Sequence, residues 1–412
     1  MNNFLMTYDL AISYFYYLRA LKFVTMKRKI VLSALLMLLG ISFAKADGET
    51  TTPFTKKINF GISTTTYPDG NAAKSLETKA ETSSLDFEIG LSKLRLFGYG
   101  QMWYDYKRVN QENTNGGEVK RIILMADAQI TKQLSFFLMY DAVASELHEY
   151  YAQYAFKPWA QLRVGQFKQP FTLESLYSPT YLSTILFDPS VLYLAGIASD
   201  PLVGNNVARD MGVMFTGDFL KNKNGRYLMN YSIGVFNGPG MNQKENNSQK
   251  DVIGMLKYMP CKNFLIEGSF LVGTGHAQAS SVYGRINAGD DYSRHRWNVG
   301  IEATFAPFYL RSEYIQGCDG GIHSRGGYVN LLYTPVKKFD IILNWDYLDK
   351  NTRLSKKAQA DFGKWVTEQH TYTAGAQYWI YKRCRLSAHF VYTRPRVGAI
   401  TREFISQLQI SF

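Results

Sequence analysis

Apolar and polar residues alternate with a period of two along much of the chain. In 384–392, Cys384, Leu386, Ala388, Phe390 and Tyr392 occupy the even positions, with polar side chains at 385, 387 and 389 between them. The alternation recurs in 297–305 and 339–347. This period predicts β-strands with one apolar and one polar face. It does not by itself separate a membrane barrel from a soluble sandwich, since both have such strands.

The predicted strands are numerous and long enough to cross a membrane as tilted strands, which takes about 9–11 residues. We predict them near 94–106, 118–130, 133–141, 147–156, 160–168, 208–216, 226–236, 249–258, 263–273, 294–305, 308–316, 325–334, 338–347, 369–380, 384–393 and 402–412. These sixteen segments form an even set. The fold class predicted is all-β, a transmembrane antiparallel β-barrel of about 16 strands.

The connections between the predicted strands alternate in length. Tight turns are predicted at Thr131-Lys132, Lys157–Trp159, Pro260–Lys262, Ala306-Pro307, Pro335–Lys337 and Tyr381–Arg383. The other connections, including 107–117 and 317–324, are predicted to be long and polar. Short turns on one rim and long loops on the other are typical of outer-membrane barrels, whose long loops are extracellular.

An export signal precedes the strands. Lys27-Arg28-Lys29 is a basic stretch, Ile30–Phe43 is apolar, and Ala44-Lys45-Ala46 fits a cleavage site before Asp47. The apolar stretch is shorter than the roughly 20 residues of a membrane-spanning helix. We therefore expect a signal peptide at 26–46 and, before it, an N-terminal extension at 1–25 that arises from a start codon assigned too early.

The rest of the chain divides into an N-terminal segment, 47–93, and the barrel, 94–412. One alternating stretch, Ile58–Ile62, lies in the N-terminal segment, and it fits either a periplasmic extension or an extra strand. The last strand ends on Phe412, with Phe404, Leu408 and Ile410 in phase. A terminal aromatic residue in this position resembles the sorting signal of outer-membrane barrels.

The third long connection, about 169–207, far exceeds the usual four to six residues. It is rich in Leu, Ile, Val, Tyr and Phe, and such a composition favours burial. We expect this extracellular loop to fold into the lumen and to place Glu174, Asp188 and Asp200 near the waist of the pore. A lid or a subunit contact is the alternative.

Just before this loop the alternation changes phase. Leu162 and Val164 have the lipid-facing parity, yet Gln166 and Lys168 share it. We predict a β-bulge at Gly165 that turns Gln166 and Lys168 into the pore and Phe167 back to lipid, because a lipid-facing Lys at the midplane costs about 2–4 kcal/mol.

The stretch Arg163-Val164-Gly165-Gln166-Phe167-Lys168-Gln169-Pro170-Phe171 resembles the most recognisable motif of the phosphate-selective porin O and P family. Arg209-Asp210-Met211-Gly212-Val213 resembles a second motif, and with Phe412 the resemblance covers about residues 94–412. It implies a trimeric, sixteen-stranded anion porin whose third loop constricts the lumen.

Anion selectivity requires several cations along the lumen, which replace the hydration of a moving anion. The predicted lumen bases are Arg95, Arg121, Arg163, Lys168, Arg296, Arg311 and Arg385. The predicted lumen acids are Asp105, Asp127, Asp141, Glu149, Glu267, Glu302, Glu313, Asp340 and Asp346. This mixture leaves the selectivity open, and ion pairs within the wall are the alternative role. The pore-lining or constriction candidates are Arg121, Arg163, Gln166, Lys168, Glu174, Asp188, Arg296, Arg311 and Arg385.

Composition and motifs narrow the function. With a formal net charge of +12 but no clustered basic patch, a nucleic-acid partner is not expected, whereas contact with outer-membrane lipid and acidic lipopolysaccharide fits. The three cysteines lack CxxC spacing, and the histidines form no i, i+4 pair, so we expect no metal and no cofactor. Without a GxSxG motif an outer-membrane enzyme is disfavoured.

Two functions remain. The first is a homotrimeric porin for passive diffusion of small hydrophilic solutes, including anions such as phosphate. The second is a plugged structural or adhesive barrel, which displays the exposed loops 274–293 and 348–368.

Overall fold

In the computed structural model the chain consists mainly of β-strands. The structure describes residues 58–64, 81–89, 92–198, 202, 207–281, 286–362 and 367–412. The predicted extension and signal peptide, and Asp200, lie outside the described residues. Among the helices that are described, none is both long and apolar enough to span a bilayer.

The strands described are β1 (Ile58–Thr64), β2 (Glu81–Ile89), β3 (Ser92–Val109), β4 (Glu112–Gln129), β5 (Leu134–Asp141), β6 (Glu146–Lys157), β7 (Ala160–Lys168), β8 (Arg209–Lys221), β9 (Tyr227–Phe236), β10 (Asp251–Cys261), β11 (Phe264–His276), β12 (Asp291–Phe305), β13 (Phe308–Asp319), β14 (Ile322–Val336), β15 (Phe339–Asp349), β16 (Gln369–Tyr381), β17 (Cys384–Pro395) and β18 (Thr401–Ser411). Three short helices accompany them: α1 (Leu173–Leu176), α2 (Pro189–Leu194) and α3 (Lys356–Phe362).

Strands β3 to β18 form a closed antiparallel barrel. Each strand pairs with the next along the chain, and β18 pairs back onto β3 from Thr401↔Val109 to Ser411↔Tyr99. Beyond the last pair, the backbones of Phe412 and Gly98 exchange two hydrogen bonds of 2.8 and 2.9 Å. The barrel of sixteen strands is therefore confirmed, and it leaves no open sheet edge between β3 and β18.

Strands β1 and β2 answer the question that the sequence left open for the N-terminal segment. They pair with each other, and β2 pairs with the start of β3 from Leu85↔Leu96 to Ile89↔Ser92. This part of β3 lies before the residues that pair with β18. The two strands therefore extend the sheet beside β3 and are not members of the closed ring.

The two faces of the wall differ as the alternation predicts. In β12, Trp297 and Val299 are exposed, whereas Arg296, Asn298 and Glu302 are buried. Because the ring is closed, the buried set faces the interior and the exposed apolar set faces outward. An outward apolar band is the surface that a barrel presents to lipid.

The prediction of long loops is wrong for two connections. β3 and β4 are joined by Asn110-Gln111 alone, and β13 and β14 by Gly320-Gly321. Asn110, Gly320 and Gly321 have positive φ angles of 55°, 55° and 83°, which two-residue hairpins favour. Backbone pairing continues beyond the apolar band into polar, exposed residues, so the strands are longer than their hydrophobic pattern.

Candidate functional site

The third long connection, here called the inner loop (residues 169–208), contacts inward-facing side chains across half of the barrel. Its helix α1 lies against β11 to β13, and its helix α2 packs on β13, β14 and β15. Leu173, Leu182, Val191 and Leu194 are almost fully buried. The apolar content of the loop is thus covered inside the wall, where the closed ring provides the only interior.

Wall carboxylates hold both helices of the inner loop. The backbone N–H groups of Leu173 and Glu174 donate to the two oxygens of Glu313, and the N–H of Ser190 donates to Asp346 at 3.0 Å. Glu313 also accepts from the hydroxyl of Tyr328 at 2.7 Å. Each carboxylate therefore accepts hydrogen bonds from free N–H groups at the start of a helix.

The middle of the inner loop reaches the far side of the interior. The hydroxyl of Ser183 donates to Asn330 on β14, and the N–H of Ile185 donates to Nδ1 of His389 on β17 at 3.3 Å. Ile185 packs with Val391 and Ile405. The loop thus crosses the lumen rather than covering only one strand.

Arg311 and Glu174, two predicted constriction residues, lie together in the most buried part of this contact. The Arg311 Nη2 and Glu174 Oε1 atoms are 3.3 Å apart, and both side chains are at most 1% exposed. The guanidinium of Arg311 also lies over the ring of Tyr177, 4.9 Å from its centre. This pair fixes the loop to β13.

Three other predicted bases bond to backbone carbonyls of the inner loop. Arg296 donates to the carbonyl of Leu194 at 2.7 Å and pairs with Asp319 at 2.6 Å. Arg385 donates to the carbonyl of Pro179 at 3.3 Å. Lys168 Nζ donates to the carbonyls of Leu176 and Tyr177 at 2.8 and 3.0 Å. These cations serve as loop anchors.

Asp188 connects the loop to β15. Its N–H donates to Glu174 Oε2 at 3.0 Å, and one of its carboxylate oxygens accepts from Asn344. The other oxygen, Oδ2, is buried and has no hydrogen-bond partner among the residues that the structure describes. Burial, and next the charge of Asp346, raises the pKa of Asp188 well above its usual value. The neutral, protonated form of Asp188 is therefore favoured at this buried position.

The predicted bulge at Gly165 is absent. The registers of β7 with β6 and with β8 run without a break through Gly165, which instead has a positive φ of 136°. Phe167 does not return to lipid, since it is fully buried against the rings of Tyr151 and Phe236. A Cβ at 165 would collide with the carbonyl oxygen of Tyr150, so this position requires glycine, while Phe167 stays on the same face of the strand as Arg163.

Gln166 and Arg163 bond to the wall. Gln166 donates to the carbonyls of Leu147 and His148 at 2.9 and 3.1 Å. Arg163 donates to Gln153 at 2.9 Å and lies over the ring of Tyr151. Gln166 therefore stabilises the ends of the strands and is not directed into open lumen.

Arg121 differs from the other pore-lining or constriction candidates because it is only half-buried. It shares the inward parity of Ile123, and it has no hydrogen bond or ion pair within the described parts of the chain. The charges of Arg121, Lys168 and Arg209 all act on His148. A group of cations thus lies near the point where the inner loop leaves the wall.

Part of the interior was not predicted from the sequence. The bases Lys257, Arg209 and Arg294 are buried on the inward face, where the alternation of β10 and β12 would have placed Lys257 and Arg294. An apolar inner wall on β3 to β7 was not predicted either. Inward-facing Tyr99, Ile123, Phe137, Met139 and Tyr151 form one apolar cluster with Phe171, Val191 and Leu194 of the inner loop.

No group of three or more His, Cys, Asp or Glu side chains that could hold a metal ion occurs in the part of the chain that the structure describes.

Comparisons with known proteins show a family match over part of the chain and a shared fold. Residues 98–250 match the family model "Phosphate-selective porin O and P". The fold is similar to an anion-selective porin from Comamonas acidovorans, with a TM-score of 0.58 and 12% identity over 78% of this chain and 100% of that one. A search of curated proteins finds no match.

Two further solved structures share the fold. The outer-membrane channel DcaP of Acinetobacter baumannii gives a TM-score of 0.56 at 11% identity, over 79% of this chain and 99% of that one. OmpT of Vibrio cholerae in its trimer form gives 0.54 at 12% identity, over 77% and 99%. The closed sixteen-stranded barrel, its apolar outer band and the family match lead to one conclusion: the chain is a porin of the bacterial outer membrane whose residues 98–250 match the phosphate-selective porin O and P family model.

Proposed function

We propose that this porin passes small hydrophilic solutes by passive diffusion and favours small anions such as phosphate. The observation that carries the proposal is Arg121. It is inward-facing and half-buried, and in the described chain no hydrogen bond or ion pair uses its guanidinium. Most other predicted lining cations already bond to the loop or the wall. Arg121 therefore remains available to a passing anion.

The surroundings of Arg121 strengthen its attraction for anions. Lys168 and Arg209 act on the same neighbour, His148, as Arg121 does. Glu149 pairs with Arg209 at 2.9 Å and offsets part of this charge. Positive side chains beside an apolar inner wall act in a medium of lower dielectric than water, where their field is stronger. The family description and the anion-selective relative from Comamonas acidovorans support the same preference.

The test is the reversal potential of the refolded protein in a planar bilayer under a gradient of potassium chloride, then of potassium phosphate. We expect an anion bias that is largely lost in Arg121→Ala. Lys157→Ala is the matched control, because it removes one exposed cation at the short-turn rim. A cation bias in the wild type, or an unchanged bias in Arg121→Ala, contradicts the proposal.

We also propose that the protein assembles as a homotrimer. The similar OmpT structure from Vibrio cholerae is described as a trimer form. Light scattering of the detergent-solubilised protein, corrected for bound detergent, measures the mass of the assembly. A monomeric mass across the concentration range contradicts this assignment.

A second function, a plugged structural or adhesive barrel, is favoured by one observation. Arg163, Gln166, Lys168, Glu174, Asp188, Arg296, Arg311 and Arg385 are each at most 6% exposed. Side chains that line a wide water-filled passage are not buried to this extent. Single-channel recording separates the two functions, because a plugged barrel passes little current and an open porin gives discrete steps. The family and fold describe a channel rather than an enzyme.

A further inference from the structure

The outer surface of the barrel carries exposed cations at the rim where the long connections lie. Arg394, Arg402 and Arg108, here called the rim arginines, lie on the consecutive strands β17, β18 and β3, and all three are exposed. Their parity is that of the exposed outward residues Phe390, Phe404 and Tyr106 on the same strands. The rim arginines therefore project from the outer wall and not into the lumen.

Their arrangement leaves positive charge without compensation. Arg402 and Arg108 are direct cross-strand partners, and like charges in such positions destabilise a sheet. Arg108 donates to the carbonyl of Asn110, and Arg402 lies over the ring of Tyr392. Within the described residues Arg394 and Arg402 have no ion pair, and Glu368, an acid at this rim, is bonded to Arg396 at 2.7 Å. An anion from outside the chain would offset this repulsion.

An apolar groove of about 610 Å³ lies next to the rim arginines on the membrane side. Its floor is Ala374, whose direct cross-strand partners are Leu343 and Phe390. Because the side chain of Ala374 is only a methyl group between these two large side chains, a depression remains above it. Val329, Leu331, Trp345, Tyr372 and Tyr392 complete its outward walls.

The rows of cross-strand partners follow an order toward the rim. The row of Ala374 is apolar. The next row contains the aromatic rings of Trp345, Tyr372 and Tyr392, and it continues through Arg402, the direct partner of Tyr392, to Arg108. In the row after that, His370 and Arg394 are direct partners. An apolar row followed by a zone of aromatic rings and cations matches one membrane leaflet, from its acyl chains to its interface and charged headgroups.

We propose that this face binds an anionic, phosphorylated glycolipid of the outer leaflet. Its headgroup phosphates contact the rim arginines, and one acyl chain occupies the groove. Arginine is suited to phosphate because its planar fork donates two parallel hydrogen bonds. The long-loop rim of an outer-membrane barrel is extracellular, which selects the outer leaflet. A second copy of this chain would fill the groove but would not neutralise the arginines through an apolar strand face.

The test measures binding of bisphosphorylated lipid A, and of the same lipid without its phosphates, to the full-length refolded protein in detergent by native mass spectrometry. In the double variant Arg394→Ala/Arg402→Ala we expect affinity for the phosphorylated lipid to fall at least about tenfold, since charged hydrogen bonds are lost. Affinity for the dephosphorylated lipid should not change. Lys157→Ala/Lys262→Ala removes the same charge at the short-turn rim and is expected to bind like the wild type.

Ala374→Phe tests the groove separately. It fills the depression on the outer surface and should weaken binding of both lipids while the heat-dependent gel mobility of the folded barrel is retained. Equal lipid A affinities in the wild type and the arginine variant overturn the proposal. It is also overturned if Ala374→Phe leaves lipid binding unchanged and reduces the mass of the assembly, since the groove is then a contact between subunits.

Discussion

The guanidinium of Arg311 on the barrel wall and the carboxylate of Glu174 on the inner loop lie 3.3 Å apart, with both side chains almost fully excluded from water. A buried pair of this kind costs desolvation energy when it forms, and it becomes strongly destabilising when only one partner is removed. The position of the inner loop therefore depends on both charges.

Arg311→Met is expected to release α1 of the inner loop and to destabilise the barrel by about 3–5 kcal/mol, because Glu174 is left as a buried charge without its cation. The measurement is single-channel conductance together with the urea midpoint of unfolding in lipid vesicles. We expect larger or noisier current steps. Arg95→Met, which breaks the more exposed pair with Asp127, is the control and should have a smaller effect. Equal effects of the two variants would argue against the loop anchor.

The raised pKa of Asp188 predicts that the contact between the inner loop and the barrel wall depends on pH. A carboxyl group whose pKa is raised in the folded state favours docking below its unfolded pKa of about 4, and this contribution is lost as pH rises through the raised pKa. Raising the pH through that raised pKa should therefore loosen the loop and increase current fluctuations. Asp188→Asn, a neutral isostere, should reduce this response, with the remainder due to Glu174, whose pKa burial also raises, whereas Asp141→Asn, on β5, should retain it in full. Identical pH profiles for all three proteins would contradict this role.

Gly165→Ala is expected to destabilise the barrel by about 1–3 kcal/mol or more, because residue 165 has a positive φ and a Cβ there collides with backbone. Gly100→Ala on β3 is a matched control, since the nearest atoms to its Cβ would be 3.9 Å away. Chemical unfolding in vesicles measures both variants. If they unfold at the same urea concentration, the strain at Gly165 does not exist.

Deletion of Phe412 is expected to slow assembly and to lower the folded fraction. Its backbone exchanges two hydrogen bonds with Gly98, and its ring lies against the same residue, so it completes the contact between the first and last strands of the ring. The folded fraction can be followed by heat-dependent gel mobility after refolding into vesicles. Phe404→Ala, on the same strand, retains this contact and should assemble at a rate near that of the wild type.

Several features were predictable because they are local. The sixteen strands follow from alternation over about ten residues, and the tight turn at Ala306-Pro307 lies between two such segments. The hairpins at Asn110-Gln111 and Gly320-Gly321 were missed because strands outside the apolar band have no alternating pattern. The change of phase near Gly165 was visible in the sequence. The sequence pattern predicted a bulge there, but the backbone registers run without one, and Gln166 and Lys168 are instead bonded to backbone carbonyls that the sequence could not assign to them.

The sequence by itself determined the strand number, the two faces of each strand and the apolar character of the inner loop, because each is encoded by neighbouring residues. Only the tertiary structure decided which inward-facing charged side chains already form hydrogen bonds or ion pairs. Arg311 and Glu174 are 137 positions apart, and Arg385 reaches the carbonyl of Pro179 across 206 positions. Such contacts depend on how ring closure positions distant strands around the loop. For the same reason, the half-buried state of Arg121 and the groove over Ala374 could not be derived from alternation, which gives the face of a residue but not what covers it.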